Sequence, residues 1–183
     1  MKSIQNLEEE FAGIPILADD IVEFHAARLL LLLKICGTKG QINGLTKMAK
    51  LDFFVRYPQF FSQACAALNE KVEKQVDTVD ANMVRYHYGP WDQRYYHVLA
   101  YLEARGLIKT EKENRTFHLT LTPLGQEIAG QFMQDANYEP TIVQMKQVKK
   151  VLGGKKGTEL KNLVYKLFDE EVAQRSIGEI INP

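Results

Sequence analysis

Scarcity carries the first information in this chain. Among 183 residues there are two cysteines, Cys36 and Cys65, and neither belongs to a CxxC pair. They read as small core residues in a reducing compartment, not as a disulfide framework. The four histidines, His25, His87, His97 and His118, include no pair at the i, i+4 spacing of a helical zinc site. Net charge is missing as well, because 23 Lys plus Arg balance 23 Asp plus Glu. Proteins that wrap nucleic acid usually carry a basic excess, since phosphate neutralisation drives their affinity, so whole-chain charge lends that role no support. The apolar run 29–33 is bracketed by Arg28 and Lys34, far short of the roughly 20 residues a membrane span needs. Met1-Lys2-Ser3 running into Glu8-Glu9-Glu10 is unlike a secretory leader. The expectation is a cytoplasmic protein with no membrane segment.

What is present suits a globular domain: 45% hydrophobic and 25% charged residues are enough to bury a core. Residues 1–19 read as an acidic arm, with Asp19 or Asp20 as N-cap of a helix over 21–35 that Gly37 and Gly40 end. Ile21, Phe24, Leu29, Leu32 and Ile35 keep a helical stripe inside an almost all-round apolar segment, which places that helix at the centre of a core. A second helix is expected over 45–54 and a third over 59–68, opened by Pro58. A charged connector over 69–80 leads to a short strand over 83–88. A helix over 91–105 then has Trp91, Tyr95, Val98, Leu99 and Leu102 on its inner face.

The segment that follows has sharper signals. Gly106 stops the helix, 107–110 begins a strand, and Glu111-Lys112-Glu113-Asn114 forms a polar tip. In Thr116-Phe117-His118-Leu119-Thr120-Leu121 strict alternation buries Phe117, Leu119 and Leu121. Thr122 caps a new helix with Pro123 at its first position. Two further helices are expected over 141–152 and 158–168, joined by Gly153-Gly154-Lys155-Lys156-Gly157. The core expected from these patterns is Leu29, Leu32, Leu51, Leu99, Leu102, Phe117, Leu119 and Leu121.

Catalytic signatures are absent from this pattern. The loop 153–158 looks like a phosphate cradle only superficially, because a P-loop needs GxxxxGK and then Ser or Thr after a buried strand. Here the lysines precede Gly157 and both flanks are helical. Cys65 has no base or orienting group nearby in sequence, and Asn114-Arg115-Thr116 is a glycosylation sequon only by coincidence. No enzyme, no cofactor and no metal site is expected.

Two surface features point to binding. Between residues 141 and 166 there are seven lysines (Lys146, Lys149, Lys150, Lys155, Lys156, Lys161 and Lys166) against Glu159 alone, a local +6 facing the −4 of residues 1–20. The first six form a candidate patch for DNA or for an acidic partner. The aromatics Tyr86, Tyr88, Trp91, Tyr95, Tyr96 and Tyr101 are too dense to be all core. With Arg85, Arg94 and Arg105 they have the chemistry of a protein interface, and Arg85, Tyr88, Trp91, Arg94, Tyr96 and Tyr101 are the candidate partner-binding residues. Direct base reading is disfavoured. The helices that would form a helix-turn-helix are separated by more than thirty residues, and Asp92, Gln93, Tyr96, His97, Ala100 and Glu103 make a poor phosphate-facing surface.

The helix, glycine stop, hairpin and Leu119-Thr120-Leu121-Thr122-Pro123-Leu124-Gly125 over residues 89–134 resemble the second half of a winged-helix domain. That implies a mainly α fold with a small β hairpin: a winged-helix domain over 20–135, interrupted by an inserted helix and strand, and a C-terminal helical extension over 136–183. The stretches Leu51-Asp52-Phe53-Phe54-Val55-Arg56-Tyr57-Pro58 and Met83-Val84-Arg85-Tyr86-His87-Tyr88-Gly89-Pro90-Trp91-Asp92, together with the hairpin, resemble the middle components of bacterial ABC-three-component, Lamassu-type defence systems. Such a resemblance implies a non-catalytic adaptor between an SMC/Rad50-like ATPase and a nuclease-like effector, with DNA contacted indirectly. The competing expectation is a winged-helix transcriptional regulator.

Overall fold

Five consecutive leucines leave helix α1 (Val22–Cys36) no face that can sit in water, and the rest of the chain surrounds it. The computed structural model describes residues 21–76, 83–169, 172, 174 and 176–181. The acidic arm with its Asp19 or Asp20 cap, the end of the charged connector and Glu170-Glu171 lie outside the described residues. After α1 come β1 (Gln41–Asn43), α2 (Leu45–Arg56) and α3 (Pro58–Ala67). A small hairpin, β2 (Val84–Tyr86) and β3 (Gly89–Trp91), precedes α4 (Tyr95–Ala104). A longer hairpin, β4 (Ile108–Glu113) and β5 (Thr116–Leu121), leads into α5 (Pro123–Phe132), α6 (Glu139–Leu152) and α7 (Gly157–Leu167). The described residues are thus mainly helical, with two small antiparallel sheets.

The three-stranded sheet has the order β1-β5-β4, so the strand after α1 pairs with the last strand of the distant hairpin. Its register sets Ile42 opposite Leu119 and Ile108 opposite Leu121, four side chains that all turn into the core. The link from α4 into this sheet is a glycine-terminated helix end. Gly106 (φ +67°) donates its N–H to Glu103 O, and Leu107 N–H reaches back to Leu102 O, both at 2.9 Å. Thr122 caps α5 as its sequence predicts, accepting the Gly125 N–H at 3.0 Å. Gly125 cannot be replaced, because a Cβ there would come within 1.9 Å of Leu107 O.

The C-terminal helices complete the core. Met145, Val148 and Leu152 of α6, Leu160 and Val164 of α7, and Phe168 are all 0% exposed and join the same apolar cluster as α1 and α2. Phe168 closes a ring cluster with Phe60 (centroids 4.6 Å apart) and Phe53. Residues 176–181 return beside β2, where Ile181 N–H donates to Met83 O and Arg85 N–H to Glu179 O.

Several sequence expectations shift here. Trp91 ends strand β3 instead of opening a helix, because Asp92 forms a turn whose carboxylate accepts the Arg94 N–H and delays α4 to Tyr95. Strand β4 runs on through Glu113, and the hairpin tip is Asn114-Arg115, with Asn114 in the left-handed region. Of the eight core residues expected, seven are buried. Phe117 is only half-buried, at the hairpin-tip end of the same sheet face as Leu119 and Leu121, with the Lys112 ammonium over its ring.

Candidate functional site: a basic aromatic groove above a buried ion network

Helix α2 places three charged side chains in the interior, Lys50, Asp52 and Arg56. A buried ion is tolerated when paired and hydrogen-bonded, and Asp52 and Arg56 both lie in a network of opposite charges. Asp52 accepts Arg28 Nε at 3.1 Å and the Tyr95 hydroxyl at 2.7 Å. Arg56 donates to Asp92 at 2.7 Å. Asp92 also takes Arg94 Nε at 2.8 Å, a second guanidinium nitrogen at 2.9 Å and the Arg94 N–H at 3.0 Å. Burial alone would raise the Asp92 carboxyl pKa, but the Arg94 hydrogen bonds and the Arg56 charge outweigh it and hold it well below the usual carboxylate range. This network joins α1, α2, the β3–α4 turn and α4, and so fixes the small β2–β3 hairpin in place.

Lys50 points the other way. Its ammonium donates to Pro90 O at 2.8 Å, and it forms the floor of an open groove of about 630 Å³. Burial, and then the nearby Lys161 charge, lower its pKa to about 7. The first turn of α2 (Gly44, Leu45, Thr46, Lys47) forms one end of the groove and the first turn of α7 (Lys156, Gly157, Thr158) lies beside it. These two helix starts touch, since a Cβ on Gly157 would lie 3.1 Å from Lys47 N. Each helix N-terminus carries about half a positive charge, so the fold brings two positive dipole ends together. Lys47, Lys50, Lys156, Lys161 and Arg115 add five basic side chains, and among the described residues no acidic side chain lines the groove. The nearest counter-charge is Glu159, whose carboxylate accepts the Lys156 N–H at 2.6 Å. No such cap serves α2, which has glycine at its N-cap and no acid in its first turn.

The opposite wall is aromatic. Trp91 stacks on Tyr86 (centroids 6.0 Å, planes 29° apart) and packs at 5.6 Å against Tyr96. Tyr88 and Tyr96 are each 61% exposed, and the Lys161 ammonium stands over the Tyr88 ring at 5.8 Å. Phe117 and Arg115 enter from the β4–β5 tip.

Of the residues singled out from sequence, this groove gathers Tyr88, Trp91 and Tyr96 from the interface set and Lys156 and Lys161 from the lysine patch. It does not gather the others. Arg94 folds back onto Asp92, and Tyr101 donates to Glu23 beneath the Arg105 guanidinium. Arg85 sits in β2, half-buried, alongside the returning C-terminal segment. The lysine patch does not act as one surface, because α6 turns its members in different directions. Lys149 donates to Cys36 O and Gly37 O at the end of α1, Lys150 pairs with Glu73, and Lys146 and Lys155 lie outside the groove. Asp92, expected on an outer helical face, is buried. Sequence reading missed Lys47, Lys50 and Arg115. The legible hint was Lys50 lying between Met48-Ala49 and Leu51, beside the apolar stretch Phe53-Phe54-Val55.

Among the described residues no cluster of three His, Cys, Asp or Glu could hold a metal. Cys36 and Cys65 are free thiols, and burial raises both, Cys36 to about 12. Neither is a thiolate near neutral pH. No described helix is long and apolar enough to cross a membrane. Comparison with protein-family models, curated proteins and solved structures gave no match.

Proposed function

We propose that the chain is a non-catalytic binding subunit built on a winged-helix framework, serving as the adaptor between an SMC-like ATPase and an effector in a bacterial defence complex. The framework reading rests on topology. The succession α1, β1, α2, α4, β4, β5 with sheet order β1-β5-β4 is what a winged helix requires, with α3 and the β2–β3 hairpin inserted ahead of the helix that would occupy a DNA groove. The motifs that resemble the middle components lie in that insertion and in α2. They supply Asp52, Arg56 and Asp92 of the buried network and Tyr86, Tyr88 and Trp91 of the aromatic wall, so the resemblance falls on residues that line or support the groove.

The observation carrying the binding role is the groove itself: converging helix N-termini, five cations and an exposed aromatic wall, all held by a rigid buried network. Preorganised aromatic and cationic surfaces lower the entropic cost of association. Sequence-specific regulation is the weaker reading, because the exposed face of α4 offers Tyr96, His97, Ala100 and Glu103, with no Lys or Arg to meet a major groove. The test is purification of the tagged chain from its native operon. Recovery of a large coiled-coil ATPase supports the adaptor role. Recovery of the chain alone, with tight sequence-specific duplex binding, overturns it in favour of a regulator.

A further inference from the structure

Resting on the reading of this groove as the chain's binding site, we infer that its ligand is an unpaired nucleic-acid strand, with a backbone phosphate at the α2–α7 joint and a base against Tyr88, Trp91 and Tyr96. Three independent observations carry this. The first is electrostatic. Two helix N-termini and five basic side chains share one concavity that no acid among the described residues lines, an arrangement whose like charges repel one another and favour an anion. The second is unmet donor capacity at depth. Lys50 is 1% exposed and its ammonium, with three N–H groups, has Pro90 O as its acceptor among the described residues. The Leu45 and Thr46 amides, in the first turn of α2, have no acceptor among the described residues. A phosphate carries enough oxygens to take all of these donors, as helix starts commonly arrange.

The third observation separates a single strand from a duplex. Tyr88 and Tyr96, each 61% exposed, line the same groove as the basic side chains. Bases in a duplex are stacked on one another and cannot lie on protein rings, whereas a cationic track beside aromatic platforms matches strands whose bases are free. Lys161, fixed over Tyr88, links the two halves of the site by touching a ring on one side and lying near Lys50 on the other. Proton linkage agrees in direction: an anion beside Lys50 favours its charged form, so binding takes up a proton above about pH 7 and weakens as pH rises.

The experiment is fluorescence anisotropy on the full chain, with labelled oligothymidylate, oligouridylate of equal length, a duplex of the same length, and an acidic peptide of comparable charge. The single strands are expected to bind at least roughly tenfold more tightly than the duplex or the peptide, and the DNA and RNA arms show which sugar is preferred. A Lys156→Glu/Lys161→Glu double variant should lower affinity and flatten the log–log salt dependence by about 1.4, at ~0.7 per phosphate contact on a single strand. Tyr88→Ala should weaken single-strand binding roughly tenfold while the salt slope stays unchanged. Lys146→Glu/Lys166→Glu, with the same change in charge outside the groove, should do neither. Should the double reversal fail to fold, Lys161→Gln and Tyr88→Ala carry the same comparison. Equal affinity for duplex, tighter binding of the acidic peptide, or equal effects of the two double reversals would each overturn the proposal. Recovery of the ATPase from the operon is read separately, so loss of that partner with single-strand binding intact sinks the adaptor reading alone.

Discussion

Helix α2 carries two kinds of buried charge within three residues. Asp52 belongs to a network in which two carboxylates, Asp52 and Asp92, are shared among Arg28, Arg56 and Arg94. Lys50, two residues earlier, donates to the Pro90 carbonyl and lies near the Lys161 charge. In the first cluster Arg28, Asp52, Arg56 and Asp92 are buried against opposite charge, and Arg94, its side chain 30% exposed, closes it from the surface. The second borders the open groove, where no acid among the described residues balances it. Charge that stabilises a fold is neutralised internally, whereas charge that serves a ligand is left for the ligand to neutralise, and the two differ in how they respond to substitution.

The sharpest way to break that contrast is to open the closed network. Asp92→Asn should cost about 3–5 kcal/mol, because Arg56 is then left buried with its best acceptor uncharged. Urea denaturation measures it, and a cost under about 1 kcal/mol would mean that the network is not closed in the sense argued. The same carboxylate fixes an acid response. A carboxyl held below its unfolded value of 3.8 contributes stability that is complete above that pH and is lost as pH falls toward the folded value, so the melting temperature should drop steeply below about pH 4 in wild type and less in Asp92→Asn. An apolar comparison comes from Leu102→Ala, at 0% exposure under the same helix, which should cost about 2–5 kcal/mol. An unchanged melting temperature there would show that the inner face of α4 is misassigned.

The open cluster should behave in the opposite sense. Lys50→Met removes an ion that the fold pays to desolvate, and its stability should stay within about 1.5 kcal/mol of wild type or rise at neutral pH. A lysine depressed from 10.5 to about 7 makes the folded state bind fewer protons between those values, so wild-type stability should climb with pH across that window. In Lys50→Met that climb should vanish, and its persistence in calorimetry would place its origin elsewhere. The smallest effect is expected at the rim, where Lys156→Glu and Lys161→Glu should each change stability by no more than about 0.5 kcal/mol. A larger loss would make these lysines part of the fold.

Local chemistry fixed much of the fold in advance. The leucine run determined a central helix, alternation over residues 116–121 determined strand β5, and Thr122-Pro123 with Gly106 set two helix ends within a residue. These signals are short-range: side-chain periodicity, a cap hydrogen bond, a left-handed φ. Misplaced features depended on contacts from afar. Trp91 leaves the helix because Asp92 is drawn into a network with Arg56, 36 positions earlier. The lysines of α6 and α7 part company because α6 lies along α1 while α7 starts against α2. The groove combines residues from α2, the two hairpins, α4 and α7 that no sequence window contains together. The sequence by itself determined which residues could pack and where helices must stop, since both follow from neighbours along the chain. Only the tertiary structure decided which charges cancel and which converge, because electrostatic energy depends on distance through space.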